Sequence, residues 1–217
     1  GVSYRCSFRV TEAVYFIERM IEVLAIELNM DPAELRSINF IKKEQFPYTA
    51  ALGWEYDSGD YQTAWDKALL AVDYKGLRAE QVERVEAFKR GETRKVMGIG
   101  LSFFTEIVGA GPVKNCDILG MGMFDSCEIR IHPTGSAVAR LGTISQGQGH
   151  ATTFAQILAT EIGLSAESIT IEEGDTDTAP YGLGTYGSRS TPVAGAAAAM
   201  AGRKIRAKAQ MIAAYLL

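Results

Sequence analysis

Two glycine-rich stretches, Ser145-Gln146-Gly147-Gln148-Gly149-His150 and Tyr181-Gly182-Leu183-Gly184-Thr185-Tyr186-Gly187-Ser188-Arg189-Ser190, limit what this chain can become. Each follows a segment of extended pattern and leads into a helical one, so each asks for a strand–loop–helix passage. Glycine lets the backbone turn its amides inward, and the helix start that follows adds unpaired donors with partial positive charge. That combination suits an oxyanion; a tight turn in which the glycines merely meet the required dihedrals is the simpler alternative. Gln146 and Gln148 bring side-chain amides that both donate and accept, which fits a polar heterocycle edge. Tyr186, Ser188, Arg189 and Ser190 surround the second helix start with hydroxyls and a guanidinium. Neither stretch is GxxxxGK[ST] or GxGxxG, which removes the Walker A and dinucleotide fingerprints. Two anion-friendly loops then suggest one extended, polar, phosphate-bearing ligand, with Gln148 and Ser188 at the rim of one concave region.

Around these loops the periodicity predicts an α+β fold, with helices flanking a mixed sheet and a helix-rich N-terminal part. Residues 11–28 read as a helix with Val14, Ile17, Met20, Ile21, Leu24 and Leu28 on one apolar stripe. Asp31 caps a short helix that has Pro32 at its first position. The aromatic stretch QFPYTAALGWEYDSGDY reads as packing under a long loop. Residues 63–72 and 79–89 are further helices, the second charged and exposed. Near Gly91 the pattern turns extended, and 96–106 predicts a buried strand in which Gly98 and Gly100 touch other backbone. Residues 124–131 and 136–143 predict a hairpin through His132-Pro133-Thr134-Gly135, with His132 a turn residue of no assigned chemistry. A helix over 151–162 and a strand over 168–173 follow. Thr191 caps a last helix from Pro192, whose small residues 195–199 let it lie against other backbone or a flat ligand. The elements divide into a helical lead, 1–92, and an α+β portion, 93–217.

Composition narrows the function classes. With 47% hydrophobic and 22% charged residues, the 217-residue chain is ordinary globular material. A net charge of −4 without a Lys/Arg run offers no nucleic-acid surface. There is no apolar run long enough to span a membrane. Cys6, Cys116 and Cys127 are scattered and form no CxxC, which argues against a disulfide framework or a zinc site and suits a reducing cytoplasm. The chain opens without methionine and closes on an uncapped helical pattern, as an internal piece of a longer protein would. Cys6 sits between Arg5 and Ser7, with Arg9 near, just before a helix. Positive charge and a helix start favour the thiolate, so Cys6 is a candidate metal ligand or nucleophile; a small buried apolar residue is the plainer role.

QGQGH before a helix, together with GTYGSRSTPVAGAA, resembles the molybdopterin-binding subunit of the xanthine oxidase family of molybdenum hydroxylases. VSYRCSFR resembles the active-site loop of that family's copper-containing branch, the aerobic carbon monoxide dehydrogenases. FIKKEQFPY, LGWEYDSG and FFTEIVGAGP extend the likeness over the chain. The resemblance implies that Cys6 binds copper(I), bridged by sulfide to molybdenum; soft sulfur suits that ion. It implies that Arg5 and Phe8 line the same catalytic site. It also implies that Gln146, Gly147, Gln148, Gly149 and His150, with Tyr186, Ser188 and Arg189, hold a molybdopterin cytosine dinucleotide. The implied reaction oxidises carbon monoxide with water to carbon dioxide, releasing two electrons and two protons. By the same resemblance, iron–sulfur clusters and FAD belong to a small and a medium partner subunit, in a dimer of heterotrimers. That enzyme is cytoplasmic, with peripheral association at the inner face of the cell membrane. The family's catalytic glutamate and its glycine-rich loop near the metal fall outside these residues, so the piece alone is expected to be inactive. A copper-free hydroxylase of an aldehyde or N-heterocycle, with Cys6 incidental, and a non-catalytic scaffold are the competing readings.

Overall fold

The chain adopts the expected α+β fold as two compact units, Gly1–Thr105 and Glu106–Leu217. The computed structural model describes residues 9–106 and 108–217, with side chains described from Thr11 onward.

In the first unit, a π-helical turn, Arg9–Val14, leads into α1 (Tyr15–Glu27). Then come α2 (Pro32–Asn39), a two-residue antiparallel pair of β1 (Tyr48–Thr49) and β2 (Glu55–Tyr56), α3 (Tyr61–Ala71) and α4 (Tyr74–Lys89). Each of α2, α3 and α4 starts on an aspartate that accepts from a first-turn amide: Asp31 from Ala33 and Glu34, Asp60 from Thr63, Asp73 from Gly76. Pro32 takes the first position of α2, as its fixed φ and missing donor favour. Ala33, Trp65 and Tyr74 form the small core, with Phe40, Leu69, Ile99, Leu101 and Phe103 packed on it.

The apolar stripe of α1 is about half exposed at Ile17, Met20 and Leu24, whereas Glu18 and Ala25 are buried. The cause is Arg36 of α2, itself buried, which donates from Nε to Glu18 at 2.9 Å and lies 3.1 Å from Glu22. The polar face of α1 is drawn inward because a buried guanidinium must be met by charge. The strand expected over residues 96–106 is not formed. Ile99, Leu101 and Phe103 point to the core with strand-like alternation, but side chains satisfy the backbone in place of a ladder. Gln81 donates to Met97 O, Arg36 to Leu101 O, and Phe103 N donates to Glu18. Gly98 and Gly100 meet open space rather than backbone.

The second unit is built on a three-stranded sheet in the order β3 (Cys127–Ile131), β4 (Ala137–Leu141), β5 (Ile169–Glu173). β3 and β4 are the expected hairpin, closed by His132 N to Ser136 O at 2.8 Å and Gly135 N to His132 O at 3.0 Å. β4 and β5 are parallel, joined through α5 (His150–Ile162). Parallel neighbours require a crossover, and α5 supplies it. The core holds Ala137, Ala139 and Leu141 of β4 against Phe154, Ala155 and Leu158 of α5, with Ile169, Ala194 and Ala198. The last helix, α6 (Ala196–Leu216), grows from a π-helical turn, Ser190–Gly195, in which no side chain caps the start; the expected Thr191 cap is not made. Small residues do bring α6 close to α5: a β-carbon on Gly195 would meet Ile157 at 3.1 Å and one on Gly202 would meet Glu161 at 2.9 Å.

Candidate functional site

The parallel pairing of β4 and β5 decides where the two glycine loops go. Leu141 is in register with Glu173, so both strands end on one edge of the sheet and both loops leave from it side by side. That carboxyl edge is where open α/β sheets receive ligands. The loops then touch. A β-carbon on Gly142 would stand 2.6 Å from Gly182 Cα, and Ile144 N donates to Thr185 Oγ1 at 3.1 Å. Only glycine permits the first of these approaches.

The first loop runs exposed from Ile144 to Gly149. Gln146 N donates to Gln148 Oε1 at 2.6 Å, and Gln148 Nε2 donates to Gln146 Oε1 at 3.1 Å, so the two glutamines order one another. Gly149 takes φ +79° and turns the chain into α5, whose first amides have no intrahelical acceptor. His150, at the first position of α5, is buried and turned inward. Its Nδ1 lies 2.9 Å from Glu173 Oε1, which also accepts from Thr143 Oγ1. The imidazole therefore ties the start of α5 to the ends of β4 and β5. It does not face the loop's exposed side.

In the second loop, Gly184, Gly187 and Ser188 have positive φ. Ser188 is exposed and Tyr186 half-buried. Among the described residues, none accepts a hydrogen bond from the amides of Gly184, Thr185, Tyr186, Gly187 or Ser188. Arg189 is completely buried. It donates to Ala110 O at 3.0 Å, Gly184 O at 2.8 Å, Met123 O at 2.8 Å and Asp125 Oδ1 at 3.0 Å. Asp125 Oδ2 is 2.8 Å from the same Nη1 but accepts no aligned hydrogen bond, so the pair is bidentate only in distance. Gly187 O receives the amides of Gly109 and Ala110, both at 3.2 Å.

The structure thus brings Gln146, Gly147, Gln148, Gly149, Tyr186 and Ser188 onto adjoining loops. It sets His150 and Arg189 beneath those loops as anchors. Cys6, Arg5 and Phe8 lie outside the described residues. Sequence reasoning missed Asp125, Thr143 and Glu173, which receive or support the two anchors. The one signal for Asp125 is a lone acid inside the apolar stretch GMGMFDSC, where burial demands a cation. Cys127, two residues further, is no candidate ligand: burial, and secondarily Glu128, push its thiol up to about 12. The described residues contain no cluster of three or more His, Cys, Asp or Glu able to hold a metal.

The sequence pattern of the molybdopterin cofactor-binding domain matches residues 67–217. The chain belongs to that family. Within it, the chain is 73% identical over all 217 residues to the carbon monoxide dehydrogenase large chain of Afipia carboxidovorans, and spans 27% of that protein. The crystal structure of a Cu,Mo-CO dehydrogenase in its carbon monoxide-reduced state superimposes with a TM-score of 0.84 at 73% identity, over 100% of this chain and 27% of that one. Quinoline 2-oxidoreductase from Pseudomonas putida 86 is more distant, with a TM-score of 0.77 at 32% identity over 94% of this chain and 25% of that one. The chain therefore spans about a quarter of the length of the relatives it matches. No helix among the described residues is long and apolar enough to cross a membrane.

Proposed function

We propose that this chain is part of the catalytic subunit of an aerobic carbon monoxide dehydrogenase, an oxidoreductase that converts carbon monoxide and water to carbon dioxide at a molybdenum–copper centre. The observation that carries this reading is its 73% identity, over every residue, to a relative of that activity, against 32% to an oxidoreductase of an N-heterocycle. The loop edge fits the molybdenum cofactor on its own terms. Unpaired amides at Gly184 to Ser188 and at the start of α5 offer donors to phosphate, and Gln146 and Gln148 offer mixed donor–acceptor edges to a pterin or cytosine ring. When bound, the molybdenum cofactor supplies the two-electron chemistry.

The chain's own share is to bind and orient. Gln146 to Gly149, Tyr186 and Ser188 would contact a molybdopterin cytosine dinucleotide directly. His150 and Arg189 would fix the backbone that does so. Cys6 would be the copper(I) ligand, with Arg5 and Phe8 beside it, because thiolate is the donor that ion prefers. The reading carries with it an iron–sulfur subunit and an FAD subunit in a dimer of heterotrimers, cytoplasmic and peripherally associated with the membrane. The test is to assay copper, molybdenum and carbon monoxide-dependent dye reduction in the intact enzyme and in Cys6→Ser. The variant should lose copper and turnover while keeping molybdenum. An intact enzyme without copper that hydroxylates an aldehyde or N-heterocycle would replace this reading with a copper-free hydroxylase. One holding neither metal would leave a scaffold.

A further inference from the structure

We propose that Asp125 and Arg189 form a positioning pair that presets the second glycine loop in the conformation that receives the cofactor. The proposal rests on the molybdopterin reading above and deepens it. Three of the five residues from Gly184 to Ser188 have positive φ, at +82°, +57° and +53°, and the last of them carries a β-carbon. A β-carbon makes that region unfavourable, so such a backbone does not hold itself. Nor do its own amides help, since those of Gly184 to Ser188 reach no described acceptor. The loop is gripped at its two ends. Asp125 Oδ1 accepts Leu183 N at 3.0 Å, and Arg189 donates to Gly184 O at 2.8 Å while its own amide donates to Tyr186 O at 3.2 Å. The guanidinium also lies 5.5 Å from the Tyr186 ring centroid.

The same pair ties down what the loop rests on. Arg189 holds Ala110 O and Met123 O, and Ala110 N in turn donates to Gly187 O. A β-carbon on Gly187 would stand 2.9 Å from Ala110 Cβ, so loop and support are in close contact. A buried ion pair is a poor source of bulk stability compared with apolar side chains of equal volume. What this one achieves is a single arrangement: four carbonyl or carboxylate acceptors placed around one planar donor fork, with the amides of Gly184 to Ser188 left without a described acceptor. The arginine read from sequence as an anion ligand acts, on this view, through the backbone it holds.

The test uses the full-length enzyme with Asp125→Asn, Arg189→Lys, and the apolar double variant Asp125→Leu/Arg189→Met. Glu18→Gln, at the buried arginine of the first unit, is the control for a merely structural lesion. The measurements are bound molybdenum per subunit, unfolding midpoint, and amide exchange at Leu183, Ala110 and Arg189 in cofactor-free protein. Asp125→Asn should speed exchange at those amides by about tenfold, the scale of one lost charge-assisted hydrogen bond. Its molybdenum content should fall severalfold, while Glu18→Gln keeps its molybdenum at a similar loss of midpoint. If Asp125→Asn does not fold, the double variant carries the test, since it leaves no buried charge. Full molybdenum in either, or a molybdenum loss in Glu18→Gln matching its midpoint, overturns the proposal. Wild-type enzyme without molybdenum would sink the underlying reading, and the exchange data would still report whether the pair holds the loop.

Discussion

Each unit buries one arginine among its described residues, and the two serve different architectures. Arg36 stands on a helix and joins regular elements: Glu18 and Glu22 of α1, Pro32 O within α2, and Leu101 O of an extended segment. Its carboxylates keep some water, with side chains 11% and 21% exposed. Arg189 stands at the end of a loop and joins only irregular backbone, through one carboxylate; both partners are 0% exposed. Helices supply their own hydrogen bonds and can survive a poor neighbour. Loops cannot, and a buried cation that satisfies several carbonyls at once is one way to fix them.

The comparison breaks most visibly at Arg189. Replacing it with methionine leaves the fully buried Asp125 carboxylate and three carbonyls without their donor, and should cost about 3–5 kcal/mol. The second unit should then show a lowered unfolding midpoint and new proteolytic cuts near residues 110, 124 and 184. Arg36→Met should cost less, about 2 kcal/mol, because Glu18 keeps the Phe103 amide and the Glu22 side chain is already 21% exposed. Equal losses in the two variants would mean that burial of the acid does not set the scale.

Alkaline titration sharpens the contrast further, because the first unit contains a titrating phenol that its polar network affects. Burial first, then the Asp31 carboxylate, push Tyr74 from 10.0 to about 12. The folded chain keeps a proton that the unfolded chain gives up, so stability present below pH 10.0 is lost as pH rises through about 12. In Tyr74→Phe that slope should vanish from unfolding midpoints measured across this range. At neutral pH the variant should lose about 1 kcal/mol, the hydroxyl's bond to Asp31. The smallest effect belongs to Arg203→Ala. Its paired contacts to Glu161 are exposed, and the midpoint should not move.

Much of the fold could be read because it depends on neighbours in sequence. The Asp31-Pro32 start, the His132–Gly135 turn and the strand–loop–helix passages are local chemistry and appear as read. Other features depend on residues far apart in sequence. The burial of Glu18 goes with Arg36, 18 residues beyond it. The missing ladder at 96–106 follows from side chains of α1, α2 and α4 reaching its backbone. At the site, the glycines and glutamines marked the loops that leave one end of the β4–β5 pair. The inward turn of Arg189 could not be read, because its partner Asp125 lies 64 residues away.

Gly142 and Gly182 meet backbone to backbone, and a β-carbon on either would fall within 2.7 Å of the other's Cα. A joint of this kind has no side chain to trim or enlarge, and no residue smaller than glycine exists to replace it. Inheritance can therefore vary what hangs from the two loops, at Gln146, Gln148 or Ser188, far more freely than it can shift one loop against the other. New ligand preferences on this scaffold would arise as changes of upholstery around a fixed hinge pin. An insertion in either loop would have to fall beyond the joint to be tolerated.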